Sequence, residues 1–313
     1  QRDEGTISVG LFTSLNEAIE TGRRAECKVQ ISHVKCDFQK VWGKADKVLA
    51  LIENAVDEGL DVAGDQYPYP RSSTGITGAL FPRWALSGGR EQTLKIMANE
   101  DSRGELIDGI NEMIDQGIGP EAVLIARYVP DESLEGKNLA EISDLMRIPP
   151  AETVLSMYEK GEAMVIEYSM DENDVDKFAK HHLIAVASDG SSVSKEGILS
   201  VGKPHPRSYG TNPRFIQKYV NEKKLVSIQE AVRKMTSLPA QRLGLTNRGR
   251  LTPGYAADIV IMDLPNVKET ATFTDPHQYP KGISHVIVNG EIVIKDEEYT
   301  GKTPGVMITD FNS

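Results

Sequence analysis

Two apolar spacings alternate along this chain. In "SLNEAIETGRRAECKVQISHVK" (14–35), Leu15, Ala18 and Ile19 recur three and four apart. That spacing predicts a helix, closed by Gly22, and "KVQISH" then reads as a strand. The pattern repeats at once, with an amphipathic helix over "KADKVLALIENAVDEG" ending at Gly59 and a strand in "LDVAGDQYPY" (60–69). Helix and strand alternating at this spacing predict a parallel sheet with crossover helices. Residues 70–160 break the rhythm. They hold two predicted helices, "GGREQTLKIMANE" and "RGELIDGINEMIDQG", and a strand-like "AVLIARYV". Two more helices follow in "NLAEISDLMRIPPAETVLSMYEKG", interrupted by Pro149 and Pro150. An excursion this long between sheet strands predicts a lid or side wall. The rhythm resumes with "AMVIEYS" (163–169), the helix "ENDVDKFAKH", the buried strand "LIAVASDG" (183–190) and a closing helix, "SIQEAVRKMTSLPAQRLGL". In the last sixty or so residues, short β runs alternate with turns such as Asn289–Gly290, which predicts a small antiparallel element. The expected divisions are therefore 1–69, 70–160, 161–247 and 248–313.

Composition narrows the function. The 313 residues carry 35 Lys+Arg against 46 Asp+Glu, a formal charge of −11. An acid excess argues against nucleic acid or an anionic membrane as the main partner. No apolar stretch approaches the roughly 20 residues that span a bilayer. The start, "QRDEGTISVG", has neither a signal-peptide plan nor an initiator Met, which reads as a processed or truncated chain. The two cysteines, Cys27 and Cys36, read as free thiols of a reducing cytoplasm rather than a disulfide.

Chemistry concentrates where predicted strands end. His33 in "VQISHVK", Asp65 in "DVAGDQYPY" and Asp189 in "LIAVASDGSS" all fall at carboxyl ends of predicted parallel strands. In βα barrels the catalytic groups lie at that end, where the βα loops gather. A carboxylate there must be paired, hydrogen-bonded or metal-bound, since its desolvation costs several kcal/mol. For Asp189 the plain alternative is a helix cap, and for His33 a satisfied structural histidine. A strand-end imidazole with a strand-end carboxylate also suits a metal-assisted hydrolase, as ligand and as ligand or proton shuttle.

Longer motifs extend this picture. "RDEG" (2–5), "ISHVK" (31–35), "WGKA" (42–45), "DQYPYPRSST" (65–74), "SDG" (188–190), "HPRSYGTNPRF" (205–215), "KMTSLPAQRLGL" (234–245), "RGRLTPGYAADIVIMD" (248–263) and "ISHVIVNGEIV" (283–293) occur in order. In these the chain resembles the D-aminoacylase (N-acyl-D-amino-acid deacylase) family of the amidohydrolase superfamily. The resemblance implies an α/β fold: part of a (β/α)8 TIM-type barrel, with a small C-terminal β-sandwich element. It also implies a zinc at the barrel mouth, with His33 as metal ligand and Asp189 as catalytic aspartate. Lys35 would meet the substrate carboxylate, and Arg207, Tyr67 and Tyr69 would line the same pocket. The loop histidine His205 is not expected to ligate, and His181 and His182 should lie solvated at the opposite end of the barrel. The implied reaction is zinc-dependent hydrolysis of N-acyl-D-amino acids, a small-molecule substrate, in the cytoplasm. Zinc would polarise the amide carbonyl and activate a water, Asp189 would move the proton, and Lys35 would fix the substrate carboxylate.

The sequence also departs from the family pattern. It has no HxH of a first barrel strand, no ligating cysteine in the family's position and no histidine just before "RDEG". Cys27 and Cys36 do not replace that cysteine. The resemblance thus implies the carboxyl-terminal two-thirds of an enzyme, holding zinc weakly or not at all by itself. The competing readings are a cyclic-amide or dipeptide-cleaving amidohydrolase of hydantoinase or dihydroorotase type, and a non-catalytic barrel fragment. A phosphate-binding barrel finds only a faint glycine loop in "SDGSSVS".

Overall fold

The computed structural model describes residues 10–309, so the "RDEG" motif lies outside the described residues. Three strands, β1 (Val29–Ile31), β2 (Val62–Gln66) and β6 (Ile184–Val186), form a parallel sheet in the order β1-β2-β6. Ile31 pairs with Gly64, and Gly64 with Ile184, so all three carboxyl ends emerge at one rim. The helices Leu11–Ala25, Ala45–Asp57 and Glu172–Lys180 cover one face of this sheet. Leu15, Val48, Ile52 and Phe178 pack there against Ile31, Val62 and Ile184. Helices on a parallel sheet are the layering that the alternating sequence periods predict, and the sheet is a portion of a (β/α)8-type barrel.

Gly22 does not close the first helix. It lies buried inside that helix, which ends at Glu26 in the left-handed region (φ 50). A Cβ on Gly22 would meet Val29 Cγ2 at 2.2 Å, so the glycine serves close helix–strand approach instead. The closing helix is also two, Ile228–Met235 and Ser237–Leu243.

The excursion builds its own layer. Strands β3 (Arg71–Gly75), β4 (Val123–Arg127) and β5 (Met164–Tyr168) form an antiparallel sheet in the order β3-β5-β4. Helices Glu100–Gln116, Leu139–Met146 and Pro150–Lys160 bury Ile110, Ile142 and Leu155 in its core. The barrel rhythm therefore does not resume at "AMVIEYS", because β5 belongs to this sheet and carries the excursion to Tyr168. A short apolar run identifies a buried strand but not its direction. The C-terminal strands β7 (Ile259–Met262), β8 (Ile283–Val288), β9 (Glu291–Lys295) and β10 (Glu298–Tyr299) form the antiparallel element, in the order β10-β9-β8-β7. Asn289 and Gly290, both at positive φ, make the β8–β9 turn.

Candidate functional site

Two residues past the paired part of β1, the chain turns through His33 with φ 44. Asp65 on β2 fixes this turn, accepting from the His33 backbone N–H at 2.8 Å and from the Gln30 amide at 2.8 Å. Asp65 is thus the bland case, a carboxylate spent on holding this turn. Beyond β6, Asp189 also takes a left-handed backbone (φ 48). Non-glycine residues held there cost about 1–3 kcal/mol and cluster at functional sites.

His33 and Asp189 share the rim. The Asp189 carboxylate favours the His33 imidazolium, but burial, followed by the Lys35 ammonium, keeps the His33 pKa below the usual histidine range. Lys35 Nζ lies 3.1 Å from His33 Nδ1 and 5.6 Å from the Tyr67 ring centroid. The guanidinium of Arg207 stacks over the same ring, 4.6 Å from the Tyr67 centroid, and its Nη2 is 3.0 Å from Asp189 Oδ2. Five of the six candidates, His33, Lys35, Tyr67, Asp189 and Arg207, therefore form one connected cluster.

Tyr69 does not join it. Its hydroxyl donates to Glu269 Oε1, and Arg214 holds the same carboxylate at 2.8 Å while stacking on the Tyr69 ring. Burial first, then Glu269, pushes the Tyr69 phenol well up. Tyr69 ties the loop after β2 to the connection between β7 and β8. The alternation of "YPY" gave both tyrosines equal standing; only the remote partner Glu269 separates them.

The supports of the cluster come from "HPRSYG". His205 is 4 % exposed, and burial holds its pKa well below the usual range. Its Nδ1 accepts from the Arg207 backbone N–H at 3.0 Å, so Nε2 carries the hydrogen and donates to the Arg71 carbonyl at 3.0 Å. His205 is a backbone pin that starts the helix Arg207–Phe215. Gly190 lies against that helix, where a Cβ would sit 2.9 Å from Ser208 Cα. The loop leaving Asp189 then crosses to the excursion: the Lys203 N–H donates to the Ala126 carbonyl on β4, and Gly202 lies against the same carbonyl.

At the opposite end of β6, His182 is exposed as expected, but His181 is not solvated. Its Nε2 is 2.9 Å from Glu53 Oε1, and its carbonyl accepts from the buried Lys234.

Two buried donors near Asp189 have no hydrogen-bond partner among the described residues, Arg207 Nη1 and the Tyr67 hydroxyl. Burial pushes the Tyr67 phenol far up, so it remains a donor. No three His, Cys, Asp or Glu side chains gather around a metal-sized space among the described residues. Zinc takes three or four protein ligands, so the donors among the described residues do not by themselves make a zinc site.

The amidohydrolase family profile matches residues 197–294. An N-acyl-D-glutamate deacylase of Alcaligenes xylosoxydans xylosoxydans is 34 % identical over 92 % of this chain and 49 % of its own length. A D-aminoacylase of the same organism is 32 % identical over 97 % of this chain and 52 % of its own. Over nearly its whole length the chain is similar to D-aminoacylases and related amidohydrolases. The solved structure of an N-acyl-D-glutamate deacylase from Bordetella bronchiseptica, complexed with zinc and a phosphonate mimic of the tetrahedral intermediate, superposes with a TM-score of 0.71. It is 29 % identical over 89 % of this chain and 49 % of that one. The chain spans about half the length of the curated relatives it matches, less than the two-thirds that its motifs imply. Among the described residues, no helix is long and apolar enough to cross a membrane.

Proposed function

We propose that this chain serves an amide hydrolase acting on N-acyl-D-amino acids, supplying the groups that hold the substrate and move the proton. One observation carries the reading: His33, Lys35, Tyr67, Asp189 and Arg207 are joined by contacts at a single sheet rim. Lys35 offers the free carboxylate of the substrate a point charge. The unpaired Arg207 Nη1 and Tyr67 hydroxyl offer it two fixed donors, which orients the scissile amide beside Asp189. Asp189 takes the proton from the attacking water and passes it to the departing nitrogen, as a positioned general base and then acid does. Arg207 Nη2 holds that carboxylate in place. Tyr69 acts at one remove, bracing the loop that carries Tyr67.

Zinc is the relatives' metal, and His33 is the imidazole on this chain that suits it. The further ligands must come from outside the described residues, and no step above runs through the ion. The D preference rests on the relatives, which are named for D-amino-acid substrates. The two cysteines stand as free thiols, Cys27 exposed and Cys36 buried, which supports a cytoplasmic setting.

The test is Asp189→Asn in the full-length enzyme, assayed with paired N-acyl-D- and N-acyl-L-amino acids. Loss of 10²-fold or more in kcat is expected, on the order of a positioned acid–base group. Activity close to that of the unsubstituted enzyme would end the base assignment.

A further inference from the structure

The loop that leaves Asp189 is fixed at both ends and loose between them. At its start the Ser191 N–H donates to Ser208 Oγ at 3.2 Å, where Gly190 already lies against the helix Arg207–Phe215. At its end the Lys203 N–H donates to the Ala126 carbonyl, and His277 Nε2 stands 3.1 Å from the Gly202 carbonyl. A carbonyl only accepts, so Nε2 carries the hydrogen, and Nδ1 of the neutral ring accepts from the Tyr209 hydroxyl at 2.8 Å. Between these moorings, residues 192–201 hydrogen-bond only with one another among the described residues. The Ser194 and Ser200 N–H groups donate to the Leu199 and Gly197 carbonyls, the Ser200 hydroxyl to Gly197 and the Glu196 N–H to Ser194 Oγ. Ile198 at the tip is 89 % exposed, Leu199 49 % and Val201 50 %. Single exposed apolar side chains are ordinary, but a cluster of them marks a binding surface. Gly197 (φ 77) and Gly202 (φ 76) bracket the cluster in the left-handed region that glycine adopts freely, as hinges require.

We propose that Ile198, Leu199 and Val201 are the tip of a lid that closes over the acyl group of the substrate and selects apolar acyl chains. The inference deepens the proposed function and rests on it. In that reading Lys35 and Tyr67, past β1 and β2, hold the substrate carboxylate, and the amide lies beside Asp189, past β6. The strand order β1-β2-β6 then sends the acyl group beyond Asp189, on the outer side of the sheet, where the loop springs. Fixed ends with a loose apolar tip are what a closing loop needs. The moorings keep Asp189 in place while the tip moves, and closure takes apolar surface of loop and ligand out of water together. A polar acyl group would lose its hydration under the same cover.

The experiment uses the full-length protein with N-acetyl- and N-hexanoyl-D-glutamate, probes of the class for which the N-acyl-D-glutamate deacylase relative is named. In one arm, hydrogen exchange of residues 192–201 is followed in brief pulses with and without saturating probe. The hexanoyl probe should slow exchange about tenfold, and the acetyl probe much less. A segment already protected without probe, a segment unprotected with both, or equal protection by both overturns the lid. In the other arm, the ratio of kcat/KM for the hexanoyl over the acetyl probe is compared between the unsubstituted protein and the triple variant Ile198→Ser, Leu199→Ser, Val201→Ser. Each buried methylene is worth roughly fourfold in affinity and hexanoyl has four more than acetyl, so stripping a lid from one side of the chain should lower the ratio about tenfold. An unchanged ratio overturns the proposal. The two readings fail separately. Protection by the hexanoyl probe without hydrolysis would sink the hydrolase and keep the lid, whereas hydrolysis with an unmoved ratio would keep the hydrolase and sink the lid.

Discussion

Lys234 offers a severe test of the physical account, because burial there should make a positive charge a liability. It lies on the helix Ile228–Met235 with no exposed surface, and its ammonium donates to the carbonyl of His181. Burial is the largest influence on it and brings its pKa from 10.5 down to about 7. The folded chain thus disfavours a proton that the unfolded chain keeps up to pH 10.5. The penalty is fully present below pH 7, relaxes as pH rises from 7 towards 10.5, and is gone above that. At about 1.4 kcal/mol per pH unit, the full difference is about 5 kcal/mol, of which roughly 4 kcal/mol remains at pH 7 and roughly 2 kcal/mol at pH 9. Lys234→Met removes the charge and keeps most of the volume. It loses a hydrogen bond worth about 1 kcal/mol, while the His181 carbonyl keeps its bond from the Ile184 N–H. The variant should therefore be more stable by about 3 kcal/mol at pH 7 and by about 1 kcal/mol at pH 9. Urea denaturation of both chains at the two pH values measures this directly. A variant less stable than its parent at pH 7, or a gap that does not shrink with pH, would show that the site solvates its charge and that the reasoning is wrong.

Two further outcomes follow from packing and from the orphaned hydroxyl. Gly64→Ala should cost about 1–3 kcal/mol in chemical denaturation, the usual range for overpacking. A Cβ there would lie 2.8 Å from Val34, 2.9 Å from Ile184 and 3.1 Å from the Ile31 carbonyl, on both neighbouring strands. Tyr67→Phe should leave stability within about 0.5 kcal/mol, because the hydroxyl has no partner among the described residues. Under the proposed function the same change should raise KM for N-acyl-D-amino acids and spare kcat, so a fall in kcat at unchanged KM would count against a substrate-binding role.

The legible part of this molecule was set by local physics. Apolar spacing located the helix Ala45–Asp57 and the strand β6, and strand direction followed from their alternation. Parallel pairing then put His33 and Asp189 at one rim, where the motifs implied they should be. What was hidden depended on partners far along the chain. Glu269 decides that Tyr69, unlike Tyr67, is a brace, and it lies two hundred positions from Tyr69. The antiparallel pairing of β5 with β3 and β4 reverses a strand whose five apolar-rich residues look the same in either direction. Gly22 looked like a stop signal because its real constraint, the Val29 side chain, arrives only after the chain has turned back. Lys234 was passed over as part of a motif, since nothing around it in the sequence announces full burial.

The loop that departs from Asp189 is moored to β4 through Lys203 and Gly202. Excursion and candidate rim are consequently one mechanical unit. Exchanging the excursion for that of a relative would tug on the Asp189 carboxylate unless residues 190–204 travelled with it. Grafts meant to retune which acyl group is accepted should therefore move the two segments together.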